Sequence, residues 1–153
     1  MEDRDYAHEL DRFLVEVFND ILKTEESYLS GSCPDLSVRE LHLIEEVCRA
    51  VDEGRDNRAS AIAAAQRVTA GTLTQAVSQL ERKGSVERVR DRTDKRSVRL
   101  YPTERGRDAD RRHAAFHQEM IEEVVAELPQ EEQLVLLRAL DRISKFFQEK
   151  YVK

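Results

Sequence analysis

Three features of the chain predict a mainly α-helical fold with one small β-wing. Residues 69–84 read TAGTLTQAVSQLERKG, with Leu73, Ala76, Val77 and Leu80 on one helical face and Gly71, Gln75, Ser78 and Arg82 on the other. A short helix-forming run, Ala59–Gln66, precedes it across a tight link at Arg67 and Val68, and two alternating runs, Val86–Arg90 and Arg96–Tyr101, follow it. Long segments with apolar residues at helical spacing flank both ends. In order, these are a winged helix-turn-helix set between long terminal helices.

The first helix carries Tyr6, Leu10, Phe13, Leu14, Val17, Phe18 and Ile21 as a broad stripe and is expected to end around Ser30 and Gly31, before a linker at Pro34. A second helix starts after Ser37 with Leu41, Ile44, Cys48 and Val51 on one side, and stops before the polar stretch 52–57. Thr69 is a natural N-cap for the recognition helix, and Gly84 a glycine C-cap. Asp91–Lys95 forms a charged hairpin tip. Thr103 then caps a long helix running to about Leu128, with Phe116, Met120, Ile121, Val124 and Val125 apolar. Pro129 is expected at the first position of a last helix rich in Leu, Ile and Phe. Terminal helices this apolar need a partner, so residues 1–36 and 103–153 are expected to dimerise the chain, with 37–102 as the winged lobe of a single 153-residue unit.

Whole-chain charge argues against a nucleic-acid partner, being −6. Its distribution argues the reverse. Residues 55–112 hold 15 Lys and Arg against 8 Asp and Glu, while the rest of the chain holds 10 against 23, so the positive charge collects where the motif lies. The outer face of the recognition helix carries Thr, Gln, Ser and Arg, side chains that hydrogen-bond base edges and phosphates. Thr69, Thr72, Gln75 and Ser78 are expected in the groove and Thr74 and Arg82 on phosphates. Arg92, Lys95 and Arg96 near the wing tip have the charge and reach for a neighbouring minor groove. The expected partner is a double-stranded operator, pseudo-palindromic to match a two-fold homodimer.

Other classes are disfavoured. No apolar run approaches 18 residues and no leader with a cleavage site is present, which points to a cytoplasmic protein without membrane contact. Cys33 and Cys48 form no CxxC pair and no disulfide framework. There is no phosphate loop, nucleophile elbow or paired-carboxylate signature, so no catalytic residue is assigned and no enzyme is expected.

The string Leu80–Arg90 (LERKGSVERVR), then Asp94–Arg96, Val98–Leu100 and Thr103–Gly106 (TERG), resembles the MarR family of bacterial transcription regulators over essentially the whole chain. The resemblance implies that Arg96 enters the minor groove, that Asp94 helps hold it, and that Arg88 is a structural arginine at the wing base. Ser85 departs from the family, where a larger apolar residue commonly follows the glycine. Within the family, Val68–Thr69, Gly71–Thr72, Leu80–Gly84, Glu87–Arg90, His113 and Phe116–Met120 resemble the FabT type, repressors of fatty-acid synthesis genes with acyl-acyl-carrier-protein as co-repressor. That implies an acyl cavity between the dimerisation helices. Phe13, Val17, Phe18, Phe116 and Met120, which recur on two apolar stripes, are its candidate lining, and plain core packing is the alternative.

The histidines suggest another effector. His113 and His117 are four apart on one helix and can chelate a metal, with His42, Cys33 and either Glu25 or Glu26 to complete a tetrahedral set. This resembles the zinc-responsive branch of the family. The alternative is that both are hydrogen-bonded core histidines. A small apolar or phenolic effector is a further option, and a cysteine redox switch would fall on Cys33, near a Gly-Ser turn and expected to be exposed.

Overall fold

The apolar stripes resolve into six helices and one hairpin in a computed structural model that describes residues 6–151. Among the described residues the order is α1 (Tyr6–Ser32), α2 (Val38–Asp52), α3 (Ala59–Ala65), α4 (Ala70–Arg82), β1 (Val86–Arg90), β2 (Val98–Pro102), α5 (Glu104–Ala126) and α6 (Gln130–Tyr151). The chain forms two units, Met1–His113 and Ala114–Lys153, with α5 continuing from the first into the second. No helix among the described residues is long and apolar enough to cross a membrane.

In the first unit, Ser37 starts α2 with a capping box: its hydroxyl accepts from the Glu40 amide, and the Glu40 carboxylate accepts from the Ser37 amide at 2.8 Å. Gly54 ends that helix in the left-handed region at φ +64°. Leu41, Ile44 and Val47 of α2 are fully buried and meet Ile62 of α3, Leu73, Val77 and Leu80 of α4, and Leu100 of β2. Each such side chain contributes about 1.5–3 kcal/mol by leaving water. The two strands pair antiparallel with Arg88 opposite Leu100 and Arg90 opposite Val98. An isolated bridge between Arg58 and Arg99 attaches the start of α3 to β2. The expected second strand begins two residues late, because Arg96 and Ser97 are drawn into the turn by Asp94.

In the second unit, α6 buries no residue, although Leu134, Leu137, Leu140, Phe146 and Phe147 are large and apolar. Pro129 stands one position outside the expected one: its carbonyl accepts from the Gln133 amide at 3.1 Å, which makes it the N-cap of α6. The Gln133 side chain donates to the carbonyls of Val125 and Leu128 and closes the end of α5. Along α1 of the first unit the same apolar excess appears, with Phe13 and Phe18 exposed and only Glu25 and Leu29 buried.

Candidate nucleic-acid interface

The recognition helix begins as expected. Thr69 adopts an extended backbone, its hydroxyl accepts from the Thr72 amide at 3.1 Å, and the two hydroxyls lie 2.9 Å apart. Gly84, at φ +70°, releases the chain into β1. Leu73, Val77 and Leu80 are buried while Thr72, Thr74, Gln75 and Arg82 are exposed, so the amphipathic division of the helix is the one its spacing implies.

Side-chain bonding separates readers from braces on that exposed face. Gln75 has its amide in the open. Ser78, expected in the groove, is instead committed: its hydroxyl donates to the Thr74 carbonyl at 2.8 Å and accepts from Arg88 Nη2 at 3.0 Å. Thr74 likewise donates to the Ala70 carbonyl. Arg88 also donates to the Thr74 carbonyl at 2.9 Å and pairs with Glu81 at 3.0 Å. The wing base is thereby riveted to two turns of the recognition helix, through the third residue of β1. At the C-cap of α4, Lys83 pairs with Glu40 at 2.7 Å. Burial works to raise the Glu40 carboxyl, but the Lys83 ammonium and the Ser37 bonds prevail and hold it below its ordinary value.

The wing tip is built on a residue to which the sequence reading assigned no role. Asp91 is 5% exposed and accepts from the Thr93 hydroxyl, the Thr93 and Asp94 amides and Arg99 Nε. Thr93 foremost, and then those amides, hold its carboxyl well below the usual carboxylate range. Arg99 passes the bond on to Asn57 at 2.7 Å, and Asn57 donates to the Leu100 carbonyl at 2.9 Å. Asp94 has a smaller part, accepting from the Arg96 amide at 3.0 Å and the Ser97 hydroxyl at 2.7 Å. The resulting turn leaves Arg92, Lys95 and Arg96 exposed, with no ion pair among the described residues.

Ser85, the departure noted in the sequence, is fully buried, and its Oγ has no hydrogen-bond partner among the described residues. Its carbonyl accepts from the Thr103 amide at 3.1 Å, and the Thr103 hydroxyl donates to the Gly84 carbonyl at 2.6 Å while capping the Gly106 amide at 3.1 Å. The end of the recognition helix and the start of α5 are thus one rigid joint.

A second cluster lies in the same unit. Glu25, on α1, is 3% exposed, and its Oε1 is 3.7 Å from His42 Nε2 and 3.5 Å from His113 Nε2. The two imidazole centroids are 5.5 Å apart. The Nδ1 of His113 faces Glu45 at 3.8 Å, which orients the ring with Nε2 toward Glu25. Zinc-to-nitrogen and zinc-to-oxygen bonds of about 2.0–2.2 Å make the edges of a tetrahedron about 3.3–3.5 Å; the two distances from Glu25 are close to such edges, and the donor atoms all lie within 4.8 Å of one another. His117 follows His113 by one turn on the unbroken helix α5 and so lies on the same helix face.

Two of the metal candidates are corrected here. Glu26 is exposed and Glu25 faces the histidines, since successive helical residues point about 100° apart. Cys33 is buried in the apolar core at 9% exposure, beside Leu29 and Leu36. That also removes the exposed thiol a redox switch needs. Cys48 is buried as well, and burial, seconded by Asp110, pushes its thiol up to about 12. The acyl-pocket candidates do not all converge. Phe18 lines a groove of about 680 Å³ with Leu22, Leu29, Leu36, Val38 and His42, whereas Phe13 lines a separate recess with Tyr6 and Leu10. Five residues apart on a helix is about 140° of rotation, which turns the two rings to different sides. Val17 is exposed on α1, and Phe116 and Met120 are half-buried in the second unit.

Comparison with known proteins agrees with this geometry. Residues 51–98 match the model of the MarR family. FabT from Streptococcus pneumoniae, solved in complex with DNA, is similar with a TM-score of 0.86 and 34% identity, covering 95% of this chain and 99% of that one. MepR from S. aureus, solved as a DNA complex, shares the fold at 0.77 and 19% identity, over 91% and 98% of the two chains. A mutant MarR from E. coli complexed with operator DNA does so at 0.71 and 20%, over 94% and 99%. Among curated proteins none matches. With the winged lobe in place and this identity extending over nearly its full length, the chain belongs to the MarR family of DNA-binding transcription regulators, and it is not an enzyme.

Proposed function

We propose that two copies of this chain, associated through residues 1–36 and 103–153, repress genes of fatty-acid synthesis from a pseudo-palindromic operator. The two recognition helices would then enter successive major grooves about 34–36 Å apart, one helical turn of DNA. The observation that carries the reading is the 34% identity to FabT over 95% of this chain. Support for association comes from α6, which buries no residue and leaves Leu134, Leu137, Leu140, Phe146 and Phe147 exposed on a single chain. A long-chain acyl-acyl-carrier-protein is the proposed co-repressor, and the apolar groove beside Phe18 is where its chain would enter the first unit. Operator affinity measured with and without long-chain acyl carrier protein tests this: tighter binding with the acyl form is expected, and equal affinities would remove the mechanism. A monomer in solution that ignores every duplex at low salt would remove the dimeric repressor as well.

One observation favours a second effector. Glu25, His42 and His113 bring one carboxylate and two imidazoles together at 3.5 and 3.7 Å from the Glu25 oxygen, a donor set of the kind zinc takes, and His117 follows His113 by one turn of α5. Zinc bound there would tie α1, α2 and α5 together and so report metal to the lobe. Metal analysis of untagged protein, repeated on His113→Ala, checks it: stoichiometric zinc lost on substitution is expected, and a metal-free wild-type protein after zinc dialysis would dismiss it.

A further inference from the structure

The turn of the helix-turn-helix holds the only non-glycine residue with positive φ among the described residues, Arg67 at φ +55°. Left-handed backbone is disfavoured for any residue with a Cβ, and glycine is the ordinary occupant of this position after a helix. Here the amide of Arg67 donates to the Ala64 carbonyl and that of Val68 to the Ala63 carbonyl, closing α3 two residues before Thr69 caps the recognition helix. The chain therefore places a long cation at a strained position two residues before the cap of the recognition helix.

The arginines of the lobe sort themselves by partner. Thirteen lie between residues 55 and 112, and eight of them are in ion pairs with carboxylates. Among the described residues the other five, Arg67, Arg82, Arg90, Arg92 and Arg96, have no such pair, and all are exposed. Four belong to the recognition helix or the wing. Arg67 is the remaining one, and it is exposed beside the first turn of α4.

We propose that Arg67 anchors an operator phosphate at the N-terminal end of the recognition helix, the left-handed backbone being the conformation that aims its guanidinium there. This rests on the operator-binding reading above and extends the contact surface beyond the recognition helix and wing. The test uses the full chain, a duplex that the wild-type protein selects from a random-sequence pool, and a scrambled duplex, titrated across a series of salt concentrations. Arg67→Gly is expected to unfold at an equal or higher temperature, because glycine relieves the backbone, and yet to lose about three- to ten-fold in affinity on both duplexes. Its plot of log affinity against log salt should be shallower by about 0.9 per protomer, the mark of one lost phosphate contact. Arg67→Lys should keep the slope, and Arg67→Ala should lose it while also unfolding earlier. Wild-type affinity and slope in Arg67→Gly would overturn the proposal and leave Arg67 as a cation on the end of α3. In that event the loss caused by Gln75→Ala is still confined to the selected duplex if the operator reading holds. A wild-type chain that selects no duplex overturns both.

Discussion

Gly106 sits so close to Ser85 that a Cβ on the glycine would lie 2.1 Å from the Ser85 carbonyl oxygen. Backbone, and not a yielding side-chain tip, occupies the space. This approach lets the Thr103 hydroxyl reach both the Gly84 carbonyl and the Gly106 amide, and it joins the recognition helix to α5.

Gly106→Ala is accordingly expected to destabilise the chain by about 1–3 kcal/mol, as overpacking does elsewhere. Chemical denaturation measures it. Operator affinity should fall in the same variant, since the joint that aims α4 must shift, and an unchanged denaturation midpoint would contradict the contact.

Ser85→Ala should act in the opposite direction. The buried Oγ of Ser85 has no hydrogen-bond partner among the described residues, so removing it relieves an uncompensated polar group, with a gain of about 1 kcal/mol. The expected result is a higher midpoint with operator affinity unchanged.

The wing and the segment before α3 should be acid-labile through named carboxylates. Asp91 is held well below the carboxylate range by Thr93 and neighbouring amides, and Asp56 is held at about 2 by Arg58 against an ordinary 3.8. A carboxyl with a lowered folded-state value stabilises fully above its unfolded value and loses that contribution as pH falls through the folded one. Stability is thus expected to be flat from neutrality to about pH 4 on this account and to decline between 3.8 and 2. Asp91→Asn should start lower at neutral pH and decline less steeply, which denaturation at a series of pH values would reveal.

Base reading and bracing predict different losses. Gln75→Ala should cost about 1–3 kcal/mol on matched operators and little on mismatched ones. Arg96→Ala should weaken all duplexes alike. Arg88→Ala removes a brace that touches Thr74, Ser78 and Glu81, so it should lower both stability and affinity, and its loss should persist in high salt where a phosphate contact fades. Binding titrations on matched and scrambled duplexes separate the three.

Local signals in the chain carried far. Thr69 and Gly84 bound the recognition helix because a hydroxyl at an N-cap and a glycine at a left-handed turn act within a few residues of themselves. The division of α4 into a buried and an exposed face follows from spacing alone, as does the pairing of two alternating strands around a charged tip. What spacing left open was every question whose answer lies on another element. Whether Glu25 or Glu26 faces the histidines depends on which side of α1 packs on α2. Ser78 was legible as an exposed hydroxyl, but its capture depends on Arg88 arriving from β1. Asp91 is tied beyond its own turn only because Arg99 reaches it across the hairpin and carries the bond on to Asn57, a residue far back along the chain. Helical and strand periods are properties of a segment, written in adjacent residues. Hydrogen bonds and donor clusters are properties of juxtaposed segments, and only the packed fold sets those distances.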